Sequence, residues 1–158
     1  VGLILAFQSK LGFIYAKISL LFTMFMFGLY LGSKLTQKLE KTDSFKLLMT
    51  IQAGFVLLLV LSRLGLSSEI EAIYYLLLLM MGVLGGAIFS TSNILLLDLR
   101  ASYGLGYALD LFGSFLGALL ASSILIPLLG LNLLFFMLII MNSFGFIYLL
   151  VRSAASVR

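Results

Sequence analysis

Residues 111–151 read LFGSFLGALLASSILIPLLGLNLLFFMLIIMNSFGFIYLLV, a run of 41 residues without a charged side chain. One membrane-spanning helix needs about 20 apolar residues, so this run has twice the length of one crossing. Runs such as LLLLMM at 76–81 do not alternate apolar and polar side chains, as a membrane β-barrel requires. The run therefore predicts two spanning helices, separated by a turn at the helix breakers Pro127, Gly130 and Asn132.

The composition of the chain extends this prediction to all 158 residues. Hydrophobic residues make up 63% and charged residues 10%, whereas an ordinary globular domain has about 25% charged residues. Earlier uncharged runs end at Lys and Arg, whose long side chains reach the membrane surface from a helix end. We expect an all-α, polytopic transmembrane bundle of about five spanning helices, a single domain over residues 1–158 within a larger membrane domain. The predicted spans lie near 12–34, 46–64, 71–93, 106–128 and 132–151.

The distribution of basic residues predicts the orientation of this bundle. Five crossings place seven Lys and Arg residues on one side and three on the other. By the positive-inside rule, the loops at 34–46 and 94–105 and the C-terminus are cytoplasmic. We therefore expect a multi-pass protein of the cell membrane, in a bacterium the inner membrane, with further helices before Val1. The basic loop at 34–46 is either simply solvated or a site for anionic lipid or a partner.

Glycines four residues apart occur inside three of the predicted spans. Small residues at this spacing let two helix backbones approach closely, which favours helix association in lipid. The segments FGLYLG at 27–32 and FGSFLG at 112–117 are similar, and we expect their glycine faces to lie close together. An inverted transporter repeat is the alternative. The three pairs are Gly28 with Gly32, Gly82 with Gly86, and Gly113 with Gly117.

Asp110 is the strongest candidate for a functional side chain, because ionisable groups inside membrane helices are rare. It shares a helical face with Gly113 and Gly117, so we expect it to face another helix. This face is either a packing seam or a groove open to a substrate. Asp110 is either a structural residue or a group that handles a substrate or a proton. As a structural residue it would lie near the start of its helix, favoured by the helix dipole, or form a hydrogen bond to another helix. Asn93 and Asn142 are candidates for hydrogen bonds between helices.

The absence of two residue types excludes most catalytic chemistry. The sequence has no Cys and no His, which removes disulfides, thiol nucleophiles, imidazole bases and the usual zinc ligands. An intramembrane aspartyl protease needs two facing carboxylates, but Asp98 falls in the loop before Asp110. We predict no catalytic residue, cofactor or metal site and no nucleic-acid partner. Whether the whole protein is an enzyme stays open.

Two sets of motifs resemble the membrane domain of spermidine-synthase-like integral membrane proteins. The resemblance covers most of the chain and is patchy between about residues 35 and 80. GGAIF at 85–89 also fits, although Ser90 stands where the family tends to have proline. The later set is a Tyr-Ala-x-Asp-x-x-Gly-x-x-x-Gly helix ending in Pro-x-x-Gly, formed by Tyr107, Ala108, Asp110, Gly113, Gly117, Pro127 and Gly130. The earlier set is Phe7, Gln8, Gly12, Phe13, Tyr15, Phe25, Met26, Gly28 and Gly32.

The resemblance implies a polytopic domain that relatives often join to a cytoplasmic aminopropyltransferase-like domain. No catalytic residue is carried over. Six residues transfer only as motif positions of unknown role: Tyr107, Asp110, Gly113, Gly117, Pro127 and Gly130. We expect a non-catalytic anchor or scaffold subunit in the lipid bilayer. It would hold other membrane subunits, missing helices of the same protein, or a cytoplasmic spermidine-synthase-like domain. The alternative is half of a transporter for a polyamine or another small cation, with Asp110 as the counter-charge.

Overall fold

A computed structural model describes residues 2–11, 15–38, 44–65, 70–98 and 103–156 of the chain. Apart from Ile70 and a break at Gly130, the described residues are helical, which confirms the predicted all-α class. The helices are α1 (Gly2–Leu11), α2 (Tyr15–Lys38), α3 (Ser44–Gly65), α4 (Glu71–Asp98), α5 (Tyr103–Leu120) and α6 (Ile126–Ser156), with a π-helical turn at Ala121–Leu125.

Four helical segments are long and apolar enough to cross a membrane. They are Tyr15–Lys38, Ser44–Leu64, Glu71–Leu97 and Gly104–Arg152. Their outward faces carry large apolar side chains: Met26 is 60% exposed, Leu57 62% and Phe115 60%. Because soluble proteins rarely expose extended apolar surfaces, and helices satisfy their own backbone groups, a lipid bilayer is the environment that suits this fold.

The fourth segment contains a reversal of the chain. Its 49 residues would extend about 74 Å as one helix, well beyond the hydrocarbon core of about 30 Å. Gly130 interrupts it with a φ of 73° and a ψ of 169°. Gly106 and Asn142 line one cavity, whereas Asn132 lies beside Arg63, near the other end of α3. The chain therefore runs away from that cavity to Gly130 and returns, while the count of five spans stays a prediction.

Pro127 does not end the helix, contrary to the sequence-based prediction. Proline lacks an N–H group, and its ring clashes with the carbonyl four residues earlier in a regular α-helix. The π-helical turn relieves this clash, because the N–H of Ile126 donates to the carbonyl of Ala121, five residues back. Helical structure then continues until Gly130, whose positive φ favours glycine. Asn132 is also helical, so Gly130 alone of the three predicted breakers breaks the helix.

The bounds of the predicted spans agree with those of the helices to within a few residues. The helices are longer at some ends, so parts of the predicted loops are helical. α4 continues to Asp98, and α5 begins at Tyr103, so most of the predicted loop at 94–105 is helical. Similarly, residues 34–38 belong to α2 and residues 44–46 to α3. The rest of the two predicted loops, 39–43 and 99–102, lies outside the described residues.

The short helix α1 was missed by the sequence analysis. Its 10 residues are too few to cross a bilayer, so the search for spans passed over it. Leu3, Ala6 and Phe7 are nevertheless buried at the i, i+3, i+4 spacing of one helical face. Phe7 packs edge-on against Tyr74, with ring centroids 5.6 Å apart. α1 therefore belongs to the core and covers one end of α4 and α6.

The hydrophobic core lies among α1, α2, α3, α4 and α6. None of the described residues of α5 belongs to it. Tyr74 and Leu21 have no exposed surface, and three buried hydroxyls donate to carbonyls of their own helices four residues earlier. These bonds are Thr36 to Gly32 at 2.9 Å, Ser62 to Leu58 at 2.7 Å, and Thr91 to Ala87 at 2.9 Å.

Candidate functional site

The first two glycine pairs form one tight helix contact. α2 and α4 run parallel, and Gly28 lies against Gly82 so closely that a Cβ on Gly28 would be 3.0 Å from the Cα of Gly82. One turn further on, a Cβ on Gly32 would be 3.0 Å from the backbone nitrogen of Ala87. Backbones this close permit Cα–H to carbonyl contacts and extensive dispersion attraction. The contact supports a packing role for Gly28 and Gly32.

The same two helices are joined at their first turns by an ion pair. The Nζ of Lys17 donates to the Oε1 of Glu71, and both side chains are about one-third exposed. Lys17 and Glu71 are 54 residues apart in the sequence, the same offset as Gly28 and Gly82, so the ion pair matches the parallel register of the glycine contact.

The third glycine pair behaves differently, and one prediction about it is wrong. Gly113 and Gly117 have no described atom within 4 Å of the position a Cβ would occupy. Their face is open, and Gly28 and Gly32 are already occupied by α4. The two similar segments therefore do not pack against each other. α2 and α5 carry glycines at the same spacing, but among the described residues only the glycines of α2 pack against another helix.

Asp110 lines an open, mostly apolar cavity of about 550 Å³ between α3, α4, α5 and α6. The cavity lies where α3 begins, α4 ends and α5 begins. Its polar side chains come from all four helices, and no Lys or Arg is among the described residues that line it. The polar side chains are Gln52, Ser92, Asn93, Asp110 and Asn142, and the larger apolar ones are Phe55, Ile88, Phe89, Leu96 and Leu109.

The three carboxamides of this cavity have defined orientations. The Nδ2 of Asn142 donates to the carbonyl of Leu138 at 2.9 Å, which turns its Oδ1 toward Gln52. The Nε2 of Gln52 donates to that Oδ1 at 3.2 Å, a hydrogen bond between α3 and α6. The Nδ2 of Asn93 donates to the carbonyl of Phe89 at 3.0 Å. Because a backbone carbonyl only accepts hydrogen bonds, these contacts identify the nitrogen of each asparagine carboxamide. The Nδ2 of Asn93 and the Nδ2 of Asn142 each keep a second N–H donor.

Asp110 makes no hydrogen bond and no ion pair with the part of the chain described above. Its side chain is exposed at the cavity. The expectation that Asp110 faces another helix is met only to the extent that α4 also lines this cavity. As the eighth residue of α5, it is also beyond the first turn, where the helix dipole acts. The interpretation of Asp110 as a dipole-stabilised residue near the helix start is therefore not supported.

Gly106 brings α5 to the cavity. A Cβ at this position would collide with the Oδ1 of Asn93 and lie 3.2 Å from a methyl group of Leu96. Glycine therefore lets the first turns of α5 lie directly on α4. Asp110 is one turn after Gly106 on the same helical face, and it lines the same cavity as Asn93.

The sequence analysis found part of this cavity. Asp110 was identified by its charge, and Asn142 was correctly expected to form an interhelical hydrogen bond. Asn93 was expected to do the same but bonds within α4. Gln52 was missed, because it lies in an uncharged run that was considered only as a span. The signal was present: a carboxamide is unusual in so apolar a helix and usually finds a hydrogen-bonding partner.

The other candidate residues lie outside the cavity. Tyr107 is 59% exposed, and Pro127 and Gly130 are exposed in the fourth apolar segment. A second cavity of about 430 Å³ lies near the opposite end of α3, beside Arg63 and Asn132. The guanidinium of Arg63 sits 5.6 Å from the ring centroid of Phe136. The described residues contain no group of three or more acidic side chains that could hold a metal ion.

Comparisons with protein-family models, with curated proteins and with solved structures found no match to this chain.

Proposed function

We propose that this chain is a non-catalytic membrane module that anchors a partner subunit or a spermidine-synthase-like cytoplasmic domain at the cell membrane. In this proposal the basic ends of the helices and the C-terminus face the cytoplasm, and a bacterial inner membrane is the setting. The observation that carries the proposal is the open face of α5, where Gly113 and Gly117 have no described neighbour.

α5 differs from the other long helices in how little of it is covered. From Gly104 to Leu120 its residues are exposed, except for Gly106, which is partly buried against α4. In lipid, apolar exposure alone has no cost, but small residues on one face favour close packing with another helix. α2 and α4 use the same spacing for a tight contact, which supports a similar contact between α5 and a helix of the partner.

Leucine substitutions on α5 test this proposal. Gly113→Leu and Gly117→Leu would place bulk on the open face, where a Cβ has no described atom within 4 Å. Gly104→Leu is the matched control, because Gly104 also has open space around it but points about 180° away from Gly113 on the helix. The protein is purified from its host in mild detergent, and the mass of the complex is measured by light scattering and native mass spectrometry.

The anchor proposal expects a stoichiometric complex for the unmodified protein and for Gly104→Leu. It expects release of the partner in Gly113→Leu and Gly117→Leu, with unchanged thermal stability of the chain itself. An unmodified protein that purifies without any partner, or a complex that all three variants retain equally, would contradict it.

Transport of a polyamine or another small cation is a second candidate function, and the cavity beside Asp110 favours it. A carboxylate inside a membrane domain is a natural counter-charge for a cation that enters the bilayer. The test is uptake of radiolabelled putrescine into liposomes that contain the purified protein. We expect uptake in the unmodified protein and its loss in Asp110→Asn, and an absence of uptake above empty liposomes would reject transport.

A further inference from the structure

We propose that the cavity between Gln52, Asn93 and Asp110 is a binding site for a protonated primary amine with a short apolar body. The inference shares Asp110 with the transport proposal but requires binding only. Binding can therefore be present when uptake is absent, and it does not depend on the anchor role.

Among the described residues that line it, the cavity offers hydrogen-bond acceptors and no Lys or Arg. Asp110 contributes a carboxylate and Gln52 its Oε1, and neither has a hydrogen-bond donor among the described residues. The Oδ1 of Asn93 packs against Gly106 of α5. The Nε2 of Gln52 donates to both the backbone carbonyl and the Oδ1 of Asn142, whereas the Nδ2 of Asn93 keeps a second N–H beyond its bond to Phe89. A ligand that contacts the Asp110 carboxylate and the Oε1 of Gln52 must therefore supply donors, and one with a positive charge also compensates the carboxylate.

An ammonium group fits these requirements better than other donors. It has three N–H donors and no acceptor, which suits a site that offers a carboxylate and a carboxamide oxygen. An alcohol brings one donor and no charge, and an anion would be repelled by Asp110. The ligand recognised at the polar end of the cavity is therefore an R–NH₃⁺ group.

The rest of the cavity wall indicates an organic ligand rather than a bare metal ion. Phe55, Phe89 and Leu109 form part of the same lining, and they provide dispersion contacts for a hydrocarbon chain. The volume of about 550 Å³ falls within the range of about 300–1,000 Å³ typical of small-molecule sites. The two phenylalanine rings also offer π faces that attract a cation.

Calorimetric titration with butylammonium tests this inference. The protein is reconstituted in phosphatidylcholine nanodiscs, whose zwitterionic lipid does not concentrate cations, and empty nanodiscs serve as the blank. We expect saturable binding of butylammonium and binding of butanol and butyrate at least about tenfold weaker. Asp110→Asn, which is nearly isosteric, should lower the affinity for butylammonium at least about tenfold. Gln52→Ala should lower it about fivefold, because one neutral acceptor is lost.

Glu71→Gln is the matched control for charge. It removes one carboxylate, as Asp110→Asn does, but Glu71 lies in the first turn of α4, far along that helix from Asn93. We expect its affinity for butylammonium to equal that of the unmodified protein. Helix content measured by circular dichroism establishes that each variant is folded.

Several results would overturn the proposal. These are an absence of saturable butylammonium binding, equal binding by Asp110→Asn, equal loss in Glu71→Gln, or binding of butyrate as tight as that of butylammonium. Titration with NaCl under the same conditions tests whether the site binds a metal cation and not an organic ammonium ion. Saturable binding of Na⁺ without binding of butylammonium would also contradict the inference.

Discussion

At the scale of single residues, the glycines of α2 and α4 determine how close two helices lie. Gly32→Ala would place a Cβ against the backbone of Val83 and Ala87, where no flexible side chain can move aside. The helices must then separate, and such overpacking typically costs about 1–3 kcal/mol. We expect the unfolding midpoint in an SDS titration, followed by circular dichroism, to fall accordingly.

Gly113→Ala is the control for that substitution, because open space surrounds Gly113. Its unfolding midpoint should equal or slightly exceed that of the unmodified protein, since alanine favours a helix more than glycine does. Equal destabilisation by the two substitutions would show that helix propensity, and not the α2–α4 contact, controls stability.

The sequence predicted these residues only in part. Spacing alone identifies a glycine pair as a packing device, but three pairs on three helices permit several pairings. Similarity between 27–32 and 112–117 favoured the wrong one, because local sequence does not encode which helix is the neighbour. The pairing with Gly82 depends on α2 and α4 being parallel, a property of the chain path. Asp110 was identifiable by charge, whereas the cavity around it required residues from four helices.

At the scale of helical elements, the break at Gly130 separates the two halves of the fourth apolar segment. Its φ of 73° and ψ of 169° lie in a region almost exclusive to glycine, and other residues pay about 1–3 kcal/mol there. Gly130→Ala should therefore lower the SDS unfolding midpoint. Gly117→Ala, in a helical position with open space around it, should not, and the opposite order would refute a strained turn at residue 130.

A second element-scale prediction concerns the hydrogen bond between α3 and α6. Gln52→Ala and Asn142→Ala each remove one partner of the 3.2 Å contact, and their double variant completes a thermodynamic cycle. Interhelical hydrogen bonds in membrane proteins average about 0.6 kcal/mol and reach about 1.7 kcal/mol. We expect a coupling energy in that range from SDS unfolding, whereas strictly additive effects would mean that the two side chains do not interact in lipid.

The elements themselves were largely predictable, for physical reasons. A spanning helix must be long, apolar and free of internal charge, and these requirements are visible in α2, α3 and α4 without any tertiary information. The sequence did not predict α1, because a short helix depends on the residues it packs against, and these are not visible in local sequence. The sequence did not predict the π-helical turn before Pro127 either. A proline can be accommodated by a helix break or by a local rearrangement of the helix, and the sequence does not distinguish these two outcomes.

At the scale of the whole molecule, the central claim is that the long apolar helices lie in lipid. The chain has no cysteine, so one introduced cysteine reports on its own position. Four test positions lie on outward faces, one in each apolar segment: Met26, Leu57, Leu76 and Phe115, which are 55–62% exposed. Gln37, exposed near the end of α2, provides the reference position outside the hydrocarbon.

The decisive measurement is the rate at which a water-soluble maleimide labels these five single-cysteine variants in open membrane fragments. The account predicts rapid labelling at position 37 and protection at 26, 57, 76 and 115, with all five labelled after the membrane is dissolved in SDS. Labelling of the four outward positions as fast as position 37 in intact membrane fragments would contradict it.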